Sequence, residues 1–402
     1  MGIKRRVAFQ ISGVRILLSY QAKLSLFLIL FIFFQSNIFS QIQLTDSTVE
    51  NKNYNISLIM PFCSKQILEN PNHKNAELGN SCREYYQGLL LAADTLTKSG
   101  MKLTLSVFDT EKDSSKFLHI LKKDIVQNAD LIFGPANKDA QLSIIKFAAE
   151  KNKFHISPLF TFTKTKIEDP FLISANPDFS FYADFLVSRL NNSVGECNLI
   201  VISGKSSSSK IFADRMKILI KPESGIKLKV LEFSKHADVK KYYSTTRPNQ
   251  IVVTCDEEYM IDATLKSIID TLGEYDITTF GLRSWLDFKT INPEKWESAN
   301  INIITPYFVD YAQKIVSEFV EKYRSKYNTE PSEYAICGYE QFLFFMKGLE
   351  NTKGNLHLLE NQKAQRLLSN QYLIKKKFDG QGLQNTSLHL LKWKENKLAE
   401  AK

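Results

Sequence analysis

From residue 54 onward, short apolar runs alternate with longer segments whose apolar residues recur at helical spacing. Ile56 to Phe62 (ISLIMPF) is typical of a buried strand, and Arg83 to Lys98 has the periodicity of an amphipathic helix. Leu103 to Phe108 is again typical of a strand, and the pattern then repeats. Strands separated by helices pair in parallel through right-handed crossovers, so the sheet is covered on both faces. The sequence therefore predicts an α/β fold.

A second series of the same kind begins near residue 181. Its strand-like runs include Leu199 to Ser203, Lys227 to Phe233 and Ile251 to Thr254, and helical segments separate them. Two such series predict two doubly wound parallel-sheet lobes. A cleft between the lobes is then the expected ligand site, because ligands of such sheets bind beyond the carboxyl ends of the strands.

The charge balance argues against a nucleic-acid partner. The chain has 402 residues, with 52 Lys plus Arg against 43 Asp plus Glu, and its formal net charge is +9. Residues 1–40 contain five of the basic residues and no acidic one, so the remaining 362 positions hold +9 − 5 = +4. A net charge this small over a surface of that size is ordinary, and no nucleic acid is expected as a partner.

The first forty residues have the layout of a secretory signal peptide. A basic start is followed by the apolar run Leu24 to Phe34 and then by a polar stretch that ends at Ser40. The run is shorter than the roughly 20 residues that a membrane-spanning helix needs. We therefore expect cleavage near Ser40, a linker over residues 41–53 and a periplasmic mature protein. The alternative is an uncleaved anchor that extends through Ile38 and Phe39.

Export to an oxidising compartment changes how the five cysteines are interpreted. Cys63 and Cys82 bracket a polar loop, and we expect a disulfide between them that would stabilise the fold by roughly 3 kcal/mol. Cys197, Cys255 and Cys337 lie in apolar surroundings typical of buried small side chains. The cysteines and the six histidines do not show the spacing of a zinc site, so no metal and no cofactor is predicted.

Catalytic motifs are not found in the sequence. Gly204-Lys205-Ser206 resembles the end of a phosphate-binding P-loop, but the first glycine of that motif would fall on Leu199. The nucleophile elbow G-x-S-x-G and the dinucleotide fingerprint G-x-G-x-x-G are both missing. The acidic run Asp256 to Glu258 is more typical of a helix N-terminus than of an acid–base pair. The protein is therefore not expected to be an enzyme.

The loops that follow the predicted strands carry glycines and polar side chains. Asn137, Ser157 and Thr161 offer hydrogen bonds to a carboxylate or another polar group at the ends of strands in the first series. The alternative is that such residues only cap helices, which Ser, Thr and Asn often do. The candidate loops are 61–64, 134–137, 157–161, 204–209, 256–258 and 282–285.

Several short pieces of sequence occur in an order that is typical of one family. The pieces include ISLIMPF, Tyr85-x-x-Gly88, DLIFGP, HISP, FLISANPD, the spacing Phe319, Tyr323, Tyr327 and Pro331, and the final segment from Phe378 to Gly382 with Asn385. From residue 54 to about residue 395, their order resembles the type 1 periplasmic-binding-protein family. Within that family, the chain is most similar to the branched-chain amino-acid receptors of ABC importers.

The resemblance implies that two lobes are joined by a three-strand hinge. The chain would cross between lobes near residues 174, 281 and 352. Lobe one would comprise residues 54–173 with 282–351, and lobe two residues 174–281 with 352–402. A ligand that contacts both lobes would then shift the population from an open to a closed form.

The resemblance also implies ligand contacts. The carboxylate of an amino acid would meet Asn137 or Lys138 together with Thr161, and Leu159 would contribute its backbone. An acidic residue among Asp256 to Glu258 would meet the ammonium group. The candidate ligand-binding residues are Ser64, Asn137, Ser157, Leu159, Thr161, Ser207, Asp256, Glu257 and Arg283.

Two functions follow as hypotheses. The first is an exported solute-binding protein that captures a small polar ligand, such as an amino acid, and presents it to the membrane permease of an ABC importer. The second is a non-transport envelope protein that uses the same fold to bind a protein partner in cell-wall synthesis. For the second hypothesis, the aromatic residues Tyr242, Tyr243, Trp285 and Trp296 would mark the partner surface.

Overall fold

The computed structural model divides the chain into two compact units, Met1–Lys52 and Asn53–Lys402. The residues it describes are 9–11, 14–16, 52–160, 168–232, 239–255, 257–271, 273–288, 296, 299–377, 382–394 and 397–401. In the first unit, strands β1 (Phe9–Ile11) and β2 (Val14–Ile16) pair antiparallel. The apolar run of the expected signal peptide, its cleavage point and nearly all of the linker lie outside the described residues. Among the described helices, none has both the length and the apolar character needed to cross a membrane.

The second unit contains alternating strands and helices, as the sequence predicts. Its strands are β3 Asn53–Met60, β4 Lys102–Asp109, β5 Leu131–Phe133, β6 His155–Ser157, β7 Leu172–Ser174, β8 Cys197–Ser203, β9 Ile226–Glu232, β10 Asn249–Val253, β11 Ile277–Leu282, β12 Ile301–Thr305, β13 Gln365–Arg366, β14 Gln371–Tyr372, β15 Ile374–Lys376, β16 Leu383–Asn385, β17 His389–Lys394 and β18 Lys397–Glu400. Its α-helices are α1 Ser64–Glu69, α2 Ala76–Lys98, α3 Ser114–Leu121, α4 Asp124–Gln127, α5 Gln141–Lys151, α6 Phe179–Ser193, α7 Ser207–Leu219, α8 Glu258–Ile269, α9 Lys314–Tyr327 and α10 Glu333–Asn351. Short 3₁₀ helices cover Lys138–Ala140, Pro222–Ser224, Lys240–Tyr242, Arg283–Asp287 and Leu356–Asn361.

The described strands of the second unit form two seven-stranded sheets, one in each lobe, and the short pair β13–β14. The first sheet has the order β15-β16-β7-β6-β5-β3-β4, and the second has the order β18-β17-β12-β11-β10-β8-β9. Most neighbours are parallel, but β15 is antiparallel to β16, and β17 is antiparallel to both β12 and β18. The central strands β5 and β10 are buried along their whole length. The prediction of two α/β lobes with doubly wound, largely parallel sheets is confirmed.

The chain passes from one sheet to the other three times, but two of the crossings lie further along the chain than expected. The first passage, from β7 to α6, agrees with the crossing expected near residue 174. The second follows β12 at Thr305, because β12 pairs with β11 and keeps residues 282–305 with the second sheet. The third follows β16 at Asn385, because β16 pairs with β7 in the first sheet. Residues 352–385 therefore belong with lobe one.

Helices α2 and α10 pack closely in lobe one at two glycines. A Cβ atom on Gly88 would lie 1.8 Å from the carbonyl oxygen of Ala335, and one on Gly338 would lie 2.0 Å from that of Tyr85. Both positions therefore require the absence of a side chain. Close to this crossing, the Tyr85 hydroxyl donates to Gln341 Oε1 at 2.9 Å. The contact holds α10, from the second half of the chain, against a helix near its beginning.

The expected disulfide between Cys63 and Cys82 is not formed. Both residues are free, fully buried thiols, and the Cys63 thiol is directed to the carbonyl oxygen of Pro61 at 3.5 Å. Burial raises the pKa of Cys63 to about 11 and that of Cys82 to about 12. In this structure the two cysteines act as buried small side chains, as Cys197 and Cys255 also do.

Glu340 places a fully buried carboxyl group in the middle of α10. Its oxygens accept hydrogen bonds from the Ser369 backbone N–H at 2.9 Å, the Ser369 hydroxyl at 2.7 Å and the Tyr372 hydroxyl at 3.3 Å. Burial raises the pKa of Glu340 to about 7, although these hydrogen bonds partly oppose the shift. The Ser369 carbonyl accepts from the Phe308 N–H at 2.9 Å, so this network reaches the second crossing between the lobes.

We expect Glu340→Gln to flatten the pH dependence of the free energy of unfolding between about pH 4.5 and about pH 7. A carboxyl group with a raised folded-state pKa contributes stability that is complete below its unfolded pKa and is lost as the pH rises through the folded value. The wild type should therefore lose on the order of 3 kcal/mol relative to the variant as the pH rises across this window. Urea unfolding at several pH values measures the difference.

The exposed Glu321 on α9 provides the matched control for this experiment. Glu321→Gln should keep the pH dependence of the wild type. If Glu340→Gln and Glu321→Gln give the same slopes, the buried carboxyl group does not contribute as described.

Candidate functional site

The strand order defines a crevice at one edge of each sheet. The order reverses between β3 and β5 in the first sheet and between β8 and β10 in the second. Loops at such a reversal separate and leave space beyond the carboxyl ends of the strands. Ser64 and Asn137 follow β3 and β5, and Ser207 and Glu257 follow β8 and β10. Four of the predicted residues therefore lie at the two crevices.

At the end of β3, the N-terminus of α1 is already occupied by carboxylates of the protein itself. Asp109 accepts hydrogen bonds from the backbone N–H groups of Cys63 at 3.1 Å and Ser64 at 2.9 Å, and Glu111 accepts from the Lys65 N–H at 3.0 Å. Burial alone would raise the pKa of Asp109, but hydrogen bonds from Ser64 and Glu111 outweigh it and hold that pKa below its ordinary value. The Ser64 N–H is thus engaged inside lobe one.

Ser157 is also engaged within the fold. It is fully buried at the end of β6, and its hydroxyl donates to the Phe160 carbonyl. Leu159 is half-buried and packs against the core of lobe one. The intervening Pro158 carbonyl accepts from Asn176 Nδ2 at 3.2 Å and from Gln341 Nε2 at 3.0 Å. This loop is therefore held by α10, and Thr161 lies outside the described residues.

Asn137 differs from these neighbours because its side chain has an unsatisfied acceptor. Its Oδ1 atom is buried and accepts no hydrogen bond from a described residue. The residue follows the loop at Gly134, where a Cβ would lie 2.0 Å from the Ile59 carbonyl oxygen and where φ is +117°. Only glycine brings the end of β5 this close to β3. A buried, unpaired carbonyl oxygen costs free energy that a donor from a ligand would recover.

In lobe two, the predicted residues are exposed at helix N-termini. Ser206 caps α7 by accepting from the Ser209 N–H at 3.1 Å, and this leaves Ser207 exposed in the first turn. Glu257 is exposed at the N-cap position of α8 and makes no capping hydrogen bond with its side chain. Asp256 lies outside the described residues. A polar ligand therefore has access to Ser207 and Glu257.

Arg283 joins the two lobes. It follows β11 in lobe two, and its guanidinium lies 2.9 Å from a carboxylate oxygen of Glu333 at the first turn of α10 in lobe one. A second contact, at 3.1 Å, is made with Asp287 in its own lobe. Sequence reasoning missed Glu333, because an acidic residue after the capping Ser332 is also what an ordinary helix N-terminus shows.

A second ion pair connects the lobes through the C-terminal strands. Arg366 of β13 lies 3.2 Å from Glu400 of β18, and Glu400 also contacts His389 Nδ1 at 2.6 Å. Burial would raise the pKa of Glu400, but the hydrogen bonds from His389 and Arg366 outweigh burial and hold that pKa below its ordinary value.

Across the described ranges there is no group of three or more His, Cys, Asp or Glu residues that could hold a metal ion.

Comparison with known proteins identifies the fold. The chain matches no family model and no curated protein. It is similar to a solved structure from Rhodospirillum rubrum ascribed to branched-chain amino acid ABC transport, with a TM-score of 0.62, 12% identity, and 87% of this chain and 100% of the other covered. An ABC transporter substrate-binding protein from Desulfitobacterium hafniense in complex with Leu gives 0.52 at 15% identity, covering 87% of this chain and all of its own.

A branched-chain amino acid ABC transporter protein from Rhodopseudomonas palustris gives a TM-score of 0.56 at 13% identity, over 86% of this chain and 94% of its own. At such identities the likeness concerns the fold alone. The two lobes, the strand orders and the three crossings agree with it, and the resemblance inferred from the short sequence pieces is confirmed at this level. The chain has the type 1 periplasmic binding fold.

We expect Glu333→Gln to shift the lobes toward a more open arrangement. The pair with Arg283 is partly exposed, with 30% and 39% of the two side chains accessible, so its loss should cost about 0.5 to 1 kcal/mol and change the population a few-fold. Small-angle X-ray scattering should show a larger radius of gyration, and added salt should reduce the difference between variant and wild type.

Glu318→Gln is the matched control, because it removes an ion pair with Lys314 that lies within one helix of lobe one. Its scattering should equal that of the wild type. Identical radii for Glu333→Gln and Glu318→Gln would contradict a role of the Arg283–Glu333 pair in holding the lobes.

Proposed function

We propose that the protein is an exported solute-binding protein that captures a small polar ligand between its lobes. The observation that carries this proposal is the buried, unpaired Oδ1 atom of Asn137 at the crevice of lobe one. It lies in a fold whose solved relatives include a substrate-binding protein in complex with Leu. Amino acids are therefore the first ligand class to test, and the permease of an ABC importer is the expected partner.

The charges around the cleft suit a zwitterion. The ammonium group of an amino acid can donate a hydrogen bond to Asn137 Oδ1, and Glu257 supplies a negative charge from lobe two. The ligand carboxylate would replace Glu333 as the partner of Arg283. Binding would thus exchange an internal ion pair for contacts to the ligand from both lobes, and the differential affinity for the closed form would set the lobe equilibrium.

This arrangement differs in one respect from the contacts that the resemblance implies. In those contacts, Asn137 or Lys138 meets the ligand carboxylate, and an acidic residue among Asp256 to Glu258 meets the ammonium group. The unpaired atom of Asn137 is an acceptor, so it suits a donor instead. Thr161 and Asp256 stay part of the proposed contact set, as sequence predictions.

A second candidate function is favoured by the engagement of several site residues within the protein. Ser64, Ser157 and Arg283 all have internal partners, as expected if the cleft is held without a small ligand. The protein would then be a non-transport envelope protein that binds a cell-wall protein. Trp285 and Trp296 do not mark its partner surface, because both are buried in the core of lobe two. Tyr242 and Tyr243 are half-buried against the same core.

Thermal unfolding with a panel of amino acids tests the leading proposal. A ligand that binds only the folded state should stabilise it by about 2.7 kcal/mol at a hundredfold excess over its dissociation constant. We expect a raised melting temperature with at least one amino acid. If no small polar molecule shifts the transition, the proposal fails and the protein-partner function is favoured.

We expect Asn137→Ala to weaken ligand binding without reducing the stability of the ligand-free protein. Removal of the contact should weaken ligand binding by roughly 1 to 3 kcal/mol, because a buried hydrogen bond is lost. The ligand-free protein should lose little or no stability, because the deleted oxygen has no partner among the described residues. Isothermal titration calorimetry and urea unfolding measure the two quantities.

Asn355→Ala provides the control. Its oxygen accepts from the His357 N–H at 3.3 Å at the start of a 3₁₀ helix, so its removal should reduce stability without changing ligand affinity. Unchanged affinity in Asn137→Ala would remove Asn137 from the site.

A further inference from the structure

Lobe two contains a cavity of about 350 Å³ on one face of its sheet. It is lined by the beginnings of β10, β11 and β12, by β17 and by the last turn of α6. The loops that carry Ser207, Glu257 and Arg283 follow the opposite, carboxyl ends of the parallel strands. The cavity and the candidate residues of lobe two therefore lie at opposite ends of the parallel strands of the same sheet.

The register of the strands places a row of polar side chains on this face. Gln250 pairs with Thr278, and Phe280 pairs with Asn302, which in turn pairs with Lys392. Paired residues of neighbouring strands point to the same face, and so do residues two apart along one strand. Polar side chains over a sheet face that a helix covers are unusual, because such strands normally carry apolar residues on both faces.

Gln250 is the most informative of these residues. Its exposed fraction is 3%, and it lines the cavity. The neighbouring Asn302, with 6% exposed, uses Nδ2 for the Asn300 carbonyl at 3.1 Å. A side-chain amide that lines a cavity can donate hydrogen bonds to an acceptor of a ligand bound there.

Two cations line the same cavity. Arg189 is half-buried on α6, and its guanidinium lies 5.4 Å from the centre of the Phe185 ring, which orients it. Lys392 reaches the cavity from β17. Within the part of the chain that the structure describes, neither residue forms an ion pair, whereas Arg215, also in lobe two, is paired with Asp184. The positive charge at this cavity is therefore available to an anion.

Apolar side chains line the cavity beside the polar Thr278, Asn300 and Asn302. Leu190, Val194, Phe280 and Leu390 line the cavity together with Ala401. In the last turn of α6, the Leu190 carbonyl accepts from the N–H groups of Val194 and Gly195, each at 2.9 Å. The cavity thus combines two cations and an amide donor with a hydrophobic wall.

We propose that this cavity is a second ligand site, which binds a small carboxylate carrying a short apolar tail. The carboxylate would accept hydrogen bonds from Arg189, Lys392 and Gln250, and the tail would pack against Leu190 and Phe280. The proposal does not depend on ligand binding between the lobes.

Hexanoate and its neutral analogue hexanamide test the proposal on the full-length protein. Saturation-transfer NMR and isothermal titration calorimetry should detect hexanoate binding, and hexanamide should bind at least about tenfold more weakly, because it lacks the charge. The double variant Arg189→Gln with Lys392→Gln should lose at least about tenfold in hexanoate affinity. Both substituted side chains reach the protein surface, so the fold should be retained.

Lys397→Gln is the matched control, since Lys397 is exposed on the adjacent strand β18 and does not line the cavity. Lys397→Gln should keep the wild-type affinity for hexanoate, and so should Asn137→Ala, which changes the interlobe site. Absence of hexanoate binding, or equal binding by the double variant and the wild type, would overturn the proposal. Loss of binding in Asn137→Ala would also overturn it, because hexanoate would then occupy the interlobe cleft.

Discussion

The close packing of α2 against α10 is the contact on which the arrangement of lobe one depends. Gly88 and Gly338 allow the two backbones to approach within van der Waals distance, and any side chain there would force the helices apart. Because α10 is held in this way, its first turn brings Glu333 to Arg283 of lobe two, and its middle buries Glu340 beside the second crossing. The helix α10 thus packs in the core of lobe one and also contacts lobe two through Glu333.

The polar groups that follow the carboxyl ends of the strands differ in whether they have hydrogen-bond partners within the protein. Asp109 and Glu111 satisfy the N-terminus of α1, and Gln341 holds the loop after β6 through the Pro158 carbonyl. Asn137 Oδ1 has no hydrogen-bond partner among the described residues, and Ser207 and Glu257 are exposed. Internal hydrogen bonds of this kind keep the crevice in shape without a ligand, and preorganisation lowers the conformational cost of binding.

Much of the fold could be predicted from the sequence, because long apolar runs and helical periodicity reflect burial directly. The strands β3, β8 and β10 and the helix α2 are such segments. The strands β12 and β16 were missed, because the buried polar residues Asn302, Gln384 and Asn385 interrupt the apolar pattern that indicates a buried strand. Their pairing with β11 and β7 is what moves the second and third crossings along the chain.

For the site, local sequence patterns are enough to show which loops carry polar side chains, because the same patterns identify the strands that these loops follow. The use of each side chain depends instead on how the chain folds in three dimensions. Ser157 turned out to be bonded within its own loop, Arg283 to be paired with Glu333 from fifty positions away, and Gln250 to face a cavity. Hydrogen-bond partners depend on contacts between distant segments, and local sequence patterns carry no information about those contacts.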